Sequence, residues 1–197
     1  MDTFCKSALP ELKKALGGTN KIKGALPTLR FPELEWLELQ DNAISSINNL
    51  TTSQIPLFEC INLSGNSIGE LPKALKLPKL KSILLQKNSI KSLEPITGWE
   101  LSCLTELDVS NNSLSGGVPE FIGLLNIKTV LLSNNNLQEA DGLTSSKLVV
   151  LERINLSHNM LKAVPLFKLP KLARLDLSYN KIESARLLED CRLPNLR

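Results

Sequence analysis

Nucleophilic, acid–base and metal chemistry draws on few side-chain types, and this 197-residue chain holds little of it: one histidine, His158, and four cysteines, Cys5, Cys60, Cys103 and Cys191. A cysteine–histidine nucleophile needs the two groups in hydrogen-bond contact. The strand pattern set out below places Cys60 and His158 on rungs about 19 Å apart at the ~4.8 Å spacing of paired strands, which rules that dyad out. The cysteines stand singly, without the clustered spacing of a zinc knuckle, and no glycine-rich phosphate loop follows a strand. Glu106 and Asp108 form a carboxylate pair on one strand face, but an open surface has no enclosure to raise a carboxyl pKa or exclude water. The expectation is a chain with no catalytic residue, no cofactor and no metal.

The chemistry that remains is recognition. Trp36, between Glu35 and Glu38, is the kind of aromatic anchor that carries interface energy, with packing against the N-terminal segment as the alternative. Leu84 and Leu131 point apolar surface outward. Arg153 and Arg174 suit an acidic group on a ligand, unless they pair with Glu152 and Asp176 in weak surface bridges. The candidate partner-binding set is therefore Trp36, Glu38, Leu84, Glu106, Asp108, Leu131, Arg153 and Arg174. Trp99 is expected to be a hydrophobic plug rather than part of a site, and the serines of the neighbouring column (Ser64, Ser110, Ser133, Ser157, Ser178) a small solvated surface.

These residues are positioned by a repeat. The pattern L-x-x-L-x-L-x-x-N-x-L begins at Leu34, Phe58, Leu80, Leu104, Ile127, Leu151 and Leu172. Its asparagines, Asn42, Asn66, Asn88, Asn112, Asn135, Asn159 and Asn180, follow one another at 24, 22, 24, 23, 24 and 21 residues. The L-x-L core has period two and reads as a short strand with one face buried. A unit this short cannot bury its own apolar face, whereas stacked units share one aliphatic core and a parallel sheet. That agrees with a composition 42% hydrophobic but only 4% aromatic. The fixed asparagine falls where the chain turns inward and backbone groups lose their ladder partners; an amide side chain can bridge them to the adjacent coil.

Copies such as Leu104-Thr-Glu-Leu107-Asp-Val109-Ser-Asn-Asn112-Ser-Leu114 and Leu172-Ala-Arg-Leu175-Asp-Leu177-Ser-Tyr-Asn180-Lys-Ile182 resemble the leucine-rich-repeat superfamily over residues 31–197. The resemblance implies an α/β fold, a right-handed solenoid or horseshoe with a parallel β-sheet on its concave face and short turns or 3₁₀ segments on its convex face. It also implies a non-catalytic protein-interaction module. The lead-ins Phe31-Pro-Glu-Leu34, Leu77-Pro-Lys-Leu80 and Leu169-Pro-Lys-Leu172 resemble cytoplasmic repeats such as those of the protein phosphatase 1 regulatory subunit. One segment, Leu114-Ser-Gly116-Gly117-Val118-Pro119, resembles plant-type repeats.

Residues 1–30 are expected to cap the front, either as a short helix started by Ser7 with Leu9, Leu12 and Leu16 on one face, or as a worn repeat around Leu12, Ala15, Asn20 and Ile22. Residues 31–197 then hold seven full repeats, and Leu193-Pro-Asn-Leu196 reads as the opening of an eighth. A net charge of +3 does not call for nucleic acid. No apolar run is long enough to span a bilayer, and Pro10, Glu11, Lys13 and Lys14 interrupt any signal-peptide core. With unclustered cysteines these features point to a cytoplasmic or nuclear scaffold or regulatory subunit holding a protein partner. Two alternatives stay open: an extracellular receptor ectodomain, favoured by the sequons at Asn49, Asn62, Asn111 and Asn155, and a targeting arm of an enzyme continuing past Arg197.

Overall fold

A computed structural model describes residues 9–184 and 191–196. Eight three-residue strands stack into one parallel sheet in chain order: Lys14–Leu16 (β1), Trp36–Glu38 (β2), Cys60–Asn62 (β3), Ser82–Leu84 (β4), Glu106–Asp108 (β5), Thr129–Leu131 (β6), Arg153–Asn155 (β7) and Arg174–Asp176 (β8). The register is continuous, with Ala15, Leu37, Ile61, Ile83, Leu107, Val130, Ile154 and Leu175 side by side. From Leu37 to Ile154 this inward row is buried, and it joins a single aliphatic core that runs the length of the solenoid. Each such side chain contributes about 1.5–3 kcal/mol of burial, so the core is the main stabilising term.

The asparagines close each coil against its neighbour. Asn135 Nδ2 donates to Val109 O of the preceding coil at 3.1 Å and to Leu132 O of its own at 3.0 Å, while its Oδ1 accepts from Leu114 N at 3.0 Å. The same arrangement recurs at Asn42, Asn66, Asn88, Asn112, Asn159 and Asn180. The residue before each asparagine is left-handed: Thr19, Asp41, Lys87, Asn111, Asn134, His158 and Tyr179 lie at φ between 53° and 57°, and Gly65 at 63°. This turn aims the amide back across the coil.

The front differs from the helical expectation. Lys14–Leu16 is a strand paired with Trp36–Glu38, and Asn20 Nδ2 donates to Gly17 O and Gly18 O, so this stretch is a worn repeat. The Leu9, Leu12, Leu16 spacing imitates a helix, but the edge of β2 offers a ladder that the segment joins instead. Ser7, the expected helix cap, lies outside the described residues. On the convex side no α-helix occurs among the described residues. The described residues form three 3₁₀ segments, Asn48–Thr52, Glu94–Gly98 and Asp141–Thr144, and three short parallel pairs. The Gly116-Gly117 stretch belongs to one of these, Ser115–Gly117 against Asn136–Glu139. Trp99 is 2% exposed and its Nε1 donates to Pro72 O at 2.9 Å, so it is the plug that the sequence implied.

Candidate binding surface

Because the strands are in register, the outward side chains form straight rows across the rungs. One row is Lys14, Trp36, Cys60, Ser82, Glu106, Thr129, Arg153 and Arg174; the next is Leu16, Glu38, Asn62, Leu84, Asp108, Leu131, Asn155 and Asp176. All eight candidate residues sit in these two rows, and the sheet brings Leu84, Glu106, Asp108, Leu131, Arg153 and Arg174 together on five successive rungs. Trp36 and Glu38 share β2, two rungs before Leu84.

Their environments separate them. Trp36 is half-buried with Lys14 Nζ 4.6 Å from its ring centroid, a cation–π contact that ties it to the front coil. Glu106 Oε2 accepts from Ser82 Oγ at 3.0 Å, and Asp108 Oδ1 accepts from Ser110 N at 2.9 Å. Asp108 thus shares its position's structural duty with Asn62, Asn155 and Asp176, whose side chains accept from the amide two residues on. Leu84 and Leu131 are half-buried and lie on either side of Asp108.

Arg153 and Arg174 are exposed neighbours on β7 and β8. The pairing with Glu152 and Asp176 weighed from the sequence does not form among the described residues. Glu152 bridges to Lys128 at 3.5 Å, and Asp176 accepts from Ser178 N and Oγ. Those hydroxyl and amide donors hold the Asp176 carboxyl below its ordinary value, with a further contribution from nearby His158. The serine column is not merely solvated: Ser110 and Ser157 are buried, and the Ser64, Ser157 and Ser178 hydroxyls bond to the Asn or Asp two residues earlier.

Cys60 and His158 stand four rungs apart. Burial raises the Cys60 thiol pKa, as do the carboxylates around it, against the pull of Lys81; that disfavours the thiolate. Among the described residues no three His, Cys, Asp or Glu side chains gather where a metal could be held, and no helix is long and apolar enough to cross a membrane.

One feature of this face escaped the sequence reading. His158 and Tyr179 stack with centroids 4.1 Å apart and planes 10° from parallel, and Tyr179 is 75% exposed. The signal was present, since the only histidine and the only tyrosine occupy the same left-handed position one repeat apart.

A solenoid of in-register coils, closed by asparagines and displaying two open rows of mixed side chains, belongs to a class of proteins built to offer surface. The leucine rich repeat family model matches residues 61–114 and 125–182, more than half of the chain, and the chain belongs to that family. Among solved structures it is similar to the plant peptide hormone receptor RGFR1 in complex with RGF2, at 19% identity and a TM-score of 0.59, over 95% of this chain and 43% of that one. It is also similar to YopM from Yersinia enterocolitica WA-314, at 22% identity and a TM-score of 0.56, over 89% and 39%. The chain spans less than half the length of either, and at these identities the likeness establishes the fold. No curated protein sequence matches the chain significantly.

Proposed function

We propose that the chain is a non-catalytic interaction module, an adaptor or regulatory subunit that holds a protein partner across the concave sheet. The observation that carries this reading is the group on β4 to β8: two half-buried leucines flanking an oriented carboxylate, with two exposed arginines that have no acidic partner among the described residues. A purely solvated sheet has no need of outward leucines beside anchored acids, whereas a partner that covers the face gains from both. The solved complex of a peptide hormone receptor with RGF2 supports a polypeptide as the class of partner. The free thiols of Cys60, Cys103 and Cys191 accord with a reducing compartment, and residues 9–30 with a front cap contributing its own strand to the sheet.

The test replaces Leu84 and Leu131 with glutamate and measures binding to a partner isolated with the unaltered chain. Affinity should fall at least tenfold while thermal unfolding stays within experimental error of the parent, because both side chains point away from the core. Unchanged affinity would move the site off this face.

A further inference from the structure

The two outward rows carry an ordered charge pattern. Reading from β4 to β8, the first row runs Ser82, Glu106, Thr129, Arg153, Arg174 and the second Leu84, Asp108, Leu131, Asn155, Asp176. The acidic rung β5 is followed by a neutral rung with outward Leu131, and then by two rungs that bear arginine. Glu106 and Arg153 are two strand spacings apart, about 10 Å, and Glu106 and Arg174 about 14 Å. At these separations the groups do not neutralise one another: no ion pair among the described residues involves Glu106, Asp108, Arg153 or Arg174. Ser82 Oγ and Ser110 N hold the two carboxylates in place, so the acidic rung is oriented before anything binds.

An extended polypeptide laid across the rungs advances about 3.3 Å per residue and turns every second side chain toward the sheet, so the side chains facing it come about 6.6 Å apart. A basic residue over Glu106 and Asp108 then puts the residue two further on near Leu131. The residue four further on, about 13 Å away, falls beside Arg153 and Arg174. In the opposite direction the residue two back meets Leu84. Resting on the concave-face reading above, we propose that this surface recognises an extended segment with the spatial order apolar, basic, apolar, acidic at alternate positions, its basic and acidic side chains four residues apart. Asp176 on the last rung lies in the second row, as Asp108 does, and is likewise held by the serine two residues on, Ser178, so the acidic side chain of the segment is received in the first row, by Arg153 and Arg174.

The experiment selects binders from a displayed random 12-residue peptide library on the full chain, and repeats the selection on L84E/L131E and on the quadruple variant E106K/D108N/R153E/R174E. Asparagine at 108 keeps the acceptor that Asn62 and Asn155 supply at the same position. The expected result is enrichment of a basic and an acidic residue four apart around an apolar one, binding weakened about tenfold or more by R153E/R174E, and an exchange of the two charges in peptides selected on the quadruple variant. Peptides that lose binding to L84E/L131E but lack the four-residue spacing would overturn this inference and leave the concave site standing. Peptides that bind L84E/L131E as well as the parent, or no enrichment at all, would overturn both.

Discussion

Replacing Asn135 with alanine isolates what the asparagine column does. The residue is 8% exposed, donates to Val109 O, Leu132 O and Ser133 O, and accepts from Leu114 N. The losses are unequal. Val109 O keeps a bond from Asn112 Nδ2, and Leu132 O keeps one from Asn159 Nδ2, so neither carbonyl is orphaned. Leu114 N loses its acceptor in the dry interior, which costs about 1–3 kcal/mol, and the remaining lost bonds add on the order of 1 kcal/mol net. The total is about 3 kcal/mol, which for a chain of this size lowers Tm by roughly 6–12 °C. The matched control is Asn20→Ala in the front coil, where the side chain is exposed and makes two bonds, to Gly17 O and Gly18 O. That change should cost under about 1 kcal/mol. Urea unfolding followed by circular dichroism, with the m-value required to stay constant, measures both. If Asn135→Ala cost no more than Asn20→Ala, the column would not be supplying buried backbone partners and the account of coil closure would be wrong.

Other perturbations test separate parts of the molecule. A side chain at Gly142 would run into the carbonyl oxygens of Val118 and Pro119, so Gly142→Ala should destabilise by about 1–3 kcal/mol, read as a lower urea midpoint. The folded-state pKa of Asp176 is lowered, so its contribution is present above the ordinary value of 3.8 and is lost as pH falls through the lower folded value. Ser178→Ala removes the hydroxyl that is the largest cause of the shift, and the urea midpoint should then depend less on pH across that window. Trp36 is half-buried on the sheet face and Trp99 is enclosed, so acrylamide should quench Trp36 in W99F and leave the emission of W36F blue-shifted and protected; equal quenching would contradict the placement of both.

The sheet was legible in the sequence because its causes are local and repeated. Leu37, Ile61 and Ile83 precede their asparagines by a constant five residues, and one register satisfies every copy. The front coil was ambiguous because Leu9, Leu12 and Leu16 fit a helix as well as a worn repeat, and only the presence of β2 decides between them. Gly17 shows the tertiary reason: a Cβ there would lie 2.9 Å from Leu39 Cδ2, so the front coil packs closely against the next. The eight candidate residues were found as columns, but their states were not. Asp108 is partly occupied by Ser110 N, and Glu152 is taken by Lys128, which leaves Arg153 and Arg174 without it. Such choices depend on side-chain reach between rungs, and sequence spacing does not encode that.

The same geometry explains why the display rows are free to vary. Coil closure uses the inward leucines, the asparagine amides and the left-handed residue before each asparagine, none of which lies in the two outward rows of the strands. An outward position is constrained only where it also serves the turn, as Asn62, Asp108, Asn155 and Asp176 do through their acceptor oxygens. The two remaining central outward positions of that row between β3 and β7, on β4 and β6, precede turns of the same left-handed form at Lys87 and Asn134, and both hold leucine, which has no oxygen to offer them. An apolar residue there stabilises neither the ladder nor the core, and it leaves carbon in water that a polar residue would not. Under the proposed reading, its presence on both rungs beside an anchored Asp108 is accounted for by a partner that covers the sheet, and Arg153 and Arg174, two and three rungs beyond Asp108, suit an acidic part of that partner.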